Sequence, residues 1–369
     1  MNQGLIEYLS GIEDPRIERT RLHKLTDILV MAIVSTIGGA EGWEDMELFC
    51  KSKEEWLCGL LSLKNGIPSD DTFRRVLSRI CPRQFQNCVT GWLMSVHEVT
   101  AGQISIDGKT LRRSFENADR HSALHLVQAW SVENSLVLGQ LESEGKKNEI
   151  KTIPKLLEIL DISGCIVTLD AMGCQKAIAE KIIRQGGDYV LSLKGNQGAT
   201  HQEVSEFLND RIHYVFRGTP HDFFQSIDGS HGRIEVRKYW VTEEIEWMQN
   251  HLQWEGLSSI GVVESTVEIN QKITCERRYF LSSMPAKAEA FAKAVRGHWA
   301  VENSLHWVLD VTFREDESRI RKDHGAENVS WLRKWALALL KKNTDRGSIR
   351  GKRKKAGWNH LFLEKILTN

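Results

Sequence analysis

The sequence contains no cysteine pattern that would indicate a zinc site or a disulfide framework. Its seven cysteines form no CxxC pair, and they do not combine with histidines at zinc-ligand spacing. This excludes zinc ribbons and the small secreted domains that depend on disulfides. The pattern predicts reduced thiols, as in proteins of a reducing compartment.

The sequence also lacks a recognisable leader peptide and a membrane span. Its first twenty residues contain no basic segment followed by an apolar stretch and a cleavage site. The longest apolar run, residues 28–40, is shorter than the roughly 20 residues that a membrane-spanning helix needs. We therefore expect a cytoplasmic protein with no membrane partner.

The chain has no net charge, because 49 lysines and arginines balance 49 aspartates and glutamates. Hydrophobic residues make up 41% of the 369 residues and charged residues 27%, which excludes a disordered or collagen-like chain. The positive charge is concentrated late in the sequence. Residues 319–355 contain 13 basic and three acidic residues, which indicates either a solvated surface or contact with a polyanion.

Residues 1–100 are predicted to form a helical domain for DNA binding or dimerisation. Apolar residues recur at helical intervals in LTDILVMAIVSTIGG and WEDMELFCKSKEEWL. Ser69 is a suitable N-cap for a further helix, which Pro82 would stop. This helix carries Arg74, Arg75 and Arg79, so it is our candidate for DNA contact.

Residues 101–318 are predicted to form a mixed α/β domain. The strand-like segments QISIDGK, LHLVQAW and LVLGQ precede an alternation of helices and strands, which is typical of helices packed on one sheet. Four more strand-like segments predict a β-rich insertion at about residues 215–284. The chain then turns helical, and residues 319–369 are predicted to form a basic helical C-terminal segment.

Two aspartates follow apolar strand residues in this domain. Asp107 lies in QISIDGK, where we expect it to close the first strand, and Asp170 ends GCIVTLD. An aspartate beside a hydrophobic core is costly unless it is paired or binds a metal. If the two strands are neighbours, the two carboxylates meet at one edge of the sheet. Taken alone, each aspartate could also be a turn or cap residue.

Glu302 is the best candidate for a third carboxylate, which a two-metal phosphoryl-transfer site requires. His298 and His306 lie four residues before and after Glu302, and therefore on the same face of a helix. Apolar neighbours would anchor this helix on the sheet. These predicted anchors are Trp299, Val301 and Leu305.

Other interpretations of this segment stay open. Asp310, Glu315 and Asp316 lie in the same run and could supply the third carboxylate, although FREDESR has the charge density of an exposed surface. A zinc hydrolase that uses Glu302 and its two flanking histidines is an alternative class of enzyme. Those histidines are separated by roughly 12 Å along a helix, so they cannot easily share one ion.

With these residues assembled, the chain resembles the DDE transposases of bacterial insertion sequences, in the branch of the H-repeat-associated proteins. The resemblance extends over essentially the whole chain. It rests on the segments SIDGKTLR, VTLDAMGCQKAIAEKI, DYVLSLKGNQ, HGRIEVR around His231, and RGHWAVENSLHWVLDVTFREDESRIR.

The resemblance implies an RNase H-like mixed-sheet catalytic core, in which Asp107, Asp170 and Glu302 are catalytic and bind Mg²⁺, with Mn²⁺ as a substitute. It implies cleavage of double-stranded DNA at the ends of the element and strand transfer to target DNA by a homodimer. Basic residues around the site would contact the phosphates. The residues expected to contact DNA are Arg74, Arg75, Arg79, Lys109, Lys194, Arg296, His298 and the basic residues after 319.

The sequence departs from the wider superfamily on the helix that carries Glu302. A Tyr, Arg, Glu, Lys pattern is frequent there, whereas this chain has Val295, His298 and Leu309 at the other three positions. We therefore carry over neither the phosphate-clamping roles nor a hairpin intermediate. The alternative to an active transposase is a relic that binds DNA without cutting it.

The predicted insertion contains tryptophans at intervals of seven residues, namely Trp240, Trp247 and Trp254. Aromatic side chains near such a site can stack on a base displaced from the duplex. The competing interpretation is that these tryptophans belong to the core or to an interface.

Overall fold

The computed structural model describes residues 3–96, 102–115, 123–230 and 233–368. The predicted domain boundary between residues 100 and 101 lies outside the described residues, as does His231. The described part of the chain is mixed α/β, with a nine-stranded sheet and a helical N-terminal region. The predicted fold class is therefore confirmed.

Among the described residues, six helices precede the sheet, and the three segments predicted to be helical coincide with the second to the fifth of them. The six helices are α1 (Gln3–Leu9), α2 (Leu25–Gly38), α3 (Trp43–Ser52), α4 (Glu54–Leu60), α5 (Asp70–Arg79) and α6 (Pro82–Val96). The Ser69 side chain caps α5, because its hydroxyl accepts a hydrogen bond from the Thr72 amide at 3.4 Å. α5 ends at Arg79, before Pro82 begins the next helix.

The strands form a single sheet. They are β1 (Gln103–Thr110), β2 (His125–Ser131), β3 (Leu136–Ser143), β4 (Ile166–Leu169), β5 (Asp188–Leu193), β6 (Asp222–Ser230), β7 (Arg233–Thr242), β8 (Ser259–Ile269) and β9 (Lys272–Ser282). Their spatial order is β3-β2-β1-β4-β5-β9-β8-β7-β6. β4 runs parallel to both β1 and β5, and every other neighbouring pair is antiparallel. The β-rich insertion thus continues the same sheet beyond β5.

Helices cover both faces of the sheet. They are α7 (Glu149–Glu158), α8 (Lys176–Arg184), α9 (Gly198–His213) and α10 (Ala288–Val301). A further helix, α11 (Trp307–Phe313), packs in the helical bundle instead. α7, α8 and α9 share one hydrophobic cluster with the sheet. α10 crosses β1, β4, β5, β6 and β7 and belongs to a different cluster. Because neighbouring residues of β5 belong to different clusters, α10 packs on the opposite face.

The C-terminal helices complete a bundle with the N-terminal ones. They are α12 (Gly325–Lys342), α13 (Ile349–Trp358) and α14 (His360–Thr368). α12 and α13 pack against α2, and α12 also contacts α5 and α6. One hydrophobic core therefore contains residues of both the N-terminal and the C-terminal helices. The basic segment is not a free tail, and four of its cations are buried: Arg333, Lys334, Lys352 and Arg353.

Among the described helices, none is both long enough and apolar enough to cross a membrane by itself. α2 and α3 together have the required length and composition, but the chain bends by 93° between them. Most residues of α2 are buried in the helical bundle.

Arg353→Met should destabilise the bundle, because Arg353 is buried and joins three segments. Its guanidinium donates to the carbonyls of Ala40 and Thr312 at 2.9 and 2.7 Å, and to that of Thr36 at 3.3 Å. Unpaired buried carbonyls cost about 1–3 kcal/mol each, so we expect the free energy of unfolding to fall by about 2–4 kcal/mol. Denaturant unfolding followed by tryptophan fluorescence measures the change. The exposed neighbour Lys354→Met is the matched control, and equal stability of the two variants would contradict the expectation.

Candidate active site

The two predicted aspartates lie side by side in the middle of the sheet. β1 and β4 are parallel neighbours whose last paired residues are Ile106 and Leu169. Asp107 and Asp170 follow these residues, so the spacing of about 4.8 Å between strands brings the two aspartates together. The prediction that Asp107 closes its strand is wrong, because β1 continues to Thr110 in its pairing with β2. Only the pairing with β4 stops before Asp107.

The Asp107 carboxylate is shielded from solvent, with 28% of its side chain exposed. Its Oδ1 accepts a hydrogen bond from the Gly108 amide at 2.8 Å. Burial raises the pKa of Asp107; His306 and His298 oppose this rise, and Asp170 adds to it. A carboxylate penalised by burial and by a second carboxylate is stabilised by a bound cation.

Asp170 also caps the turn that follows β4. Its Oδ1 accepts hydrogen bonds from the amides of Met172 and Gly173, at 3.0 and 3.2 Å. The interpretation as a turn cap is therefore correct for this residue. The same bonds fix the orientation of the carboxylate beside Asp107.

Glu302 begins a five-residue π-helical turn, Glu302–His306, between α10 and α11. Such turns are rare and occur frequently at functional sites. The Glu302 side chain is 71% exposed. Val301 and Leu305 anchor the turn, but in the core of the helical bundle rather than on the sheet. Trp299, the third predicted anchor, is instead half-exposed.

The three carboxylates line one cleft, with a volume of about 390 Å³. His298 also lines it, and its Nδ1 lies 3.1 Å from the Thr168 hydroxyl. Burial lowers the pKa of His298, and Asp107 and Asp170 act in the opposite direction. The lower pKa favours a neutral imidazole at this position.

His306 lies between two of the carboxylates. Its Nδ1 is 3.5 Å from Glu302 Oε2 and 3.6 Å from Asp107 Oδ2. The interaction with this imidazole lowers the pKa of Glu302. Asp107, Glu302 and His306 each offer one ligand atom, and these three atoms lie within 4.8 Å of one another. This set of nitrogen and oxygen donors fits a divalent cation.

The cations predicted to contact DNA separate into different environments. Lys194 is exposed and lines the cleft. Arg296 lies outside the cleft, and its guanidinium is 3.4 Å from the Asp228 carboxylate. Arg278, which the sequence interpretation overlooked, also lines the cleft and lies 4.2 Å above the Trp299 ring.

Lys109 does not face the cleft as expected for a phosphate contact. It is buried, and its ammonium lies 2.6 Å from Asp310 and 3.0 Å from Glu315. Asp316, the other competitor of Glu302, lies 3.1 Å from Arg112. Asp310, Glu315 and Asp316, the alternatives to Glu302 as third carboxylate, are thus all engaged in ion pairs. Because Lys109 is buried in two of these pairs, it does not belong to a surface that could contact DNA.

The arginines of α5 lie elsewhere on the molecule. Arg74 and Arg75 both pair with Asp71, and Arg79 is exposed. None of these arginines is among the residues that line the cleft. Their contact with DNA stays a prediction.

The tryptophans of the insertion pack within the protein. Trp240 and Trp254 belong to the hydrophobic cluster on the face opposite α10. Trp247 stacks on Phe207, with 4.3 Å between the ring centroids. These contacts favour the core interpretation over base stacking. The half-exposed tryptophan at the cleft is Trp299.

Comparison with known families gives two matches that together cover most of the chain. The family model described as "Transposase DDE domain" matches residues 100–339. The model described as "DDE_Tnp_1-associated" matches residues 6–93.

Relatives of similar length occur in Escherichia coli. The chain is 41% identical to "Putative transposase YncI" of strain O157:H7, and the match covers 100% of this chain and 95% of that relative. It is 40% identical to "H repeat-associated putative transposase YhhI" of strain K12, over 98% and 97% of the two chains. Among solved structures, a piggyBac transposase synaptic complex with hairpin DNA matches with a TM-score of 0.42 and 12% identity, over 99% of this chain and 78% of that one.

Lys109→Met should destabilise the protein, whereas Lys194→Met should not. Removing one partner of a buried ion pair leaves an uncompensated charge, and here we expect the free energy of unfolding to fall by about 3 kcal/mol. Lys194 is exposed, so its replacement should change stability by less than about 0.5 kcal/mol. Denaturant unfolding of the two variants tests this difference. If Lys109→Met were as stable as Lys194→Met, a structural role for Lys109 would be untenable.

Proposed function

Because the chain belongs to the DDE transposase family, we propose that it cleaves DNA at the ends of an insertion sequence and joins the freed ends to target DNA. One observation supports this proposal above all. Asp107, Asp170 and Glu302 come from two strands and a distant helix, yet all three line one cleft. Three carboxylates around a cleft are the donor set that metal-assisted phosphoryl transfer needs.

Asp107, Asp170 and Glu302 are the proposed ligands for divalent cations, Mg²⁺ with Mn²⁺ as a substitute. Their oxygens are the donors that hard cations prefer. When bound, such ions neutralise charge on the scissile phosphate and activate the attacking oxygen. The chain itself fixes the ligands, because the Met172 and Gly173 amides orient Asp170.

Cationic side chains in the cleft are the proposed contacts for the DNA backbone. Lys194 and Arg278 lie on the wall of the cleft. Trp299 presents a half-exposed ring beside Arg278. At this position the ring would exclude water from the bound DNA backbone. Transposition requires two ends to be held together, so we propose that a homodimer acts on double-stranded DNA.

Glu302→Gln should abolish strand cleavage and leave folding and DNA binding intact. The amide keeps the shape of the side chain but removes the charge that binds the cation. A strand-cleavage assay on DNA from the element's ends, with Mg²⁺ or Mn²⁺, should show at least a roughly thousandfold loss, as when part of a catalytic unit is removed.

Asp316→Asn is the matched control, because Asp316 lies in the same segment and pairs with Arg112. Its cleavage rate should stay close to that of the wild type. Normal cutting by Glu302→Gln would refute the assignment of the third carboxylate. Binding without any cutting by the wild-type protein would instead favour a relic that only binds DNA.

Replacing Arg74, Arg75 and Arg79 together by Gln should weaken binding to DNA from the element's ends if α5 contacts phosphates. Each lost phosphate contact should reduce the slope of log affinity against log salt by about 1. The full chain is the correct sample, because the N-terminal helices share their core with α12 and α13.

Arg184→Gln removes a similarly exposed arginine from α8 and serves as the control in the same titration. If the α5 variant bound DNA at low salt with the affinity of the wild-type protein, the DNA contact would lie elsewhere. It would favour dimerisation or packing as the role of the N-terminal helices.

A further inference from the structure

We propose that His306 is a direct metal ligand, which completes with Asp107 and Glu302 a mixed nitrogen and oxygen site for a divalent transition metal such as Mn²⁺. This inference rests on the proposed function, because it concerns one of the cation positions in the same cleft. It goes beyond three carboxylates, since it adds an imidazole and thereby a preference among metals.

The spacing of the three side chains supports shared coordination. His306 Nδ1 is 3.5 Å from Glu302 Oε2 and 3.6 Å from Asp107 Oδ2. Adjacent ligands of one ion, each at about 2.1 Å from it, lie roughly 3 Å apart. The ligand atoms of Asp107 and Glu302 lie within 4.8 Å of each other, close to the roughly 4.2 Å that separates ligands on opposite sides of an ion. Shifts of about half an ångström would therefore bring all three atoms onto one cation. The same distances are longer than the roughly 2.7–3.2 Å of an N–H···O hydrogen bond.

The burial of His306 is a second, independent observation. Its side chain is 7% exposed, and its Nε2 is buried with no hydrogen-bond partner among the described residues. A buried polar ring that lacks such a partner is costly. Neither ring nitrogen is held by a short hydrogen bond among the described residues, which leaves Nδ1 available to coordinate a cation between the two carboxylates.

The backbone places the imidazole at this point. Glu302 and His306 are the first and last residues of the π-helical turn, and Leu305 anchors that turn in the bundle core. A rare backbone feature thus begins and ends on the two helix residues that face Asp107.

His298 is not an equivalent ligand, although it lines the same cleft. Its Nδ1 is 3.1 Å from the Thr168 hydroxyl. Among the described residues, the ligand atoms that come within 4.8 Å of one another belong to Asp107, Glu302 and His306, and His298 is not one of this group. A zinc site that uses both histidines is therefore disfavoured, and one imidazole with two carboxylates remains. Imidazole favours Mn²⁺, Co²⁺ or Zn²⁺ more than Mg²⁺, which prefers oxygen.

The test is pulsed electron paramagnetic resonance of the full chain loaded with Mn²⁺ alone. Wild-type protein should show coupling to a histidine nitrogen, identified by a shift of the signal after ¹⁵N-histidine labelling. The coupling should disappear in His306→Gln and persist in His298→Gln. Equilibrium titration should show that His306→Gln weakens Mn²⁺ binding by roughly tenfold or more, the size of loss that even outer partners of a metal site produce. Mg²⁺ binding should weaken less.

Other outcomes separate this inference from the proposed function. If Mn²⁺ binds wild-type protein and binding depends on Asp107, but no nitrogen coupling is seen, His306 is not a ligand and the carboxylate site stands. A coupling that is lost only in His298→Gln also overturns the inference. If His306→Gln fails to fold, the His298→Gln variant decides, because a coupling that persists without His298 leaves His306 as the histidine beside the carboxylates. If Asp107→Asn leaves Mn²⁺ binding unchanged, both the inference and the proposed metal ligands fail.

Discussion

A buried negative charge connects the sheet to the helical bundle. Glu315 is 1% exposed, and it accepts a hydrogen bond from Ser330 of α12 at 2.9 Å while pairing with Lys109 of β1 at 3.0 Å. Burial raises its pKa, but Lys109 and Lys334 outweigh burial and lower the pKa to about 2. The carboxylate is therefore charged at neutral pH. Because a buried charge needs partners, β1, the segment after α11 and α12 have to assemble together.

The same ion pairs determine the geometry of the cleft. Lys109 lies two residues after Asp107 on the same strand. Besides Glu315, Lys109 pairs with Asp310, which lies on the helix that follows the π turn. The strand that carries Asp107 is thus joined, through Lys109, to the helix that directly follows the turn with Glu302. The parallel pairing of β1 with β4 positions Asp170 on the other side. The helical bundle is therefore part of the frame that holds the carboxylates.

Local patterns in the sequence predict what is determined locally. Strand alternation and helical periodicity place Asp107, Asp170 and Glu302 on suitable elements, and Ser69 marks the start of α5. The ion pairs of Lys109 depend on residues about 200 positions away, so local composition carries no information about them. The π turn departs from the α-helical period, so apolar residues at helical intervals do not reveal it. For the same reason, the continuity of the insertion with the main sheet follows only from strand pairing.

Some basic side chains of the C-terminal segment are buried, so attraction for DNA must come partly from other groups. Arg333 and Arg353 lie inside the bundle, so the charge of the C-terminal segment is only partly available to a polyanion. In the cleft, three carboxylates face Lys194 and Arg278, and Arg278 already pairs with Glu276. Without bound cations the cleft therefore carries excess negative charge and repels phosphates. Divalent metal ions bound in the cleft would offset this charge, so metal binding and DNA binding would strengthen each other by the same factor.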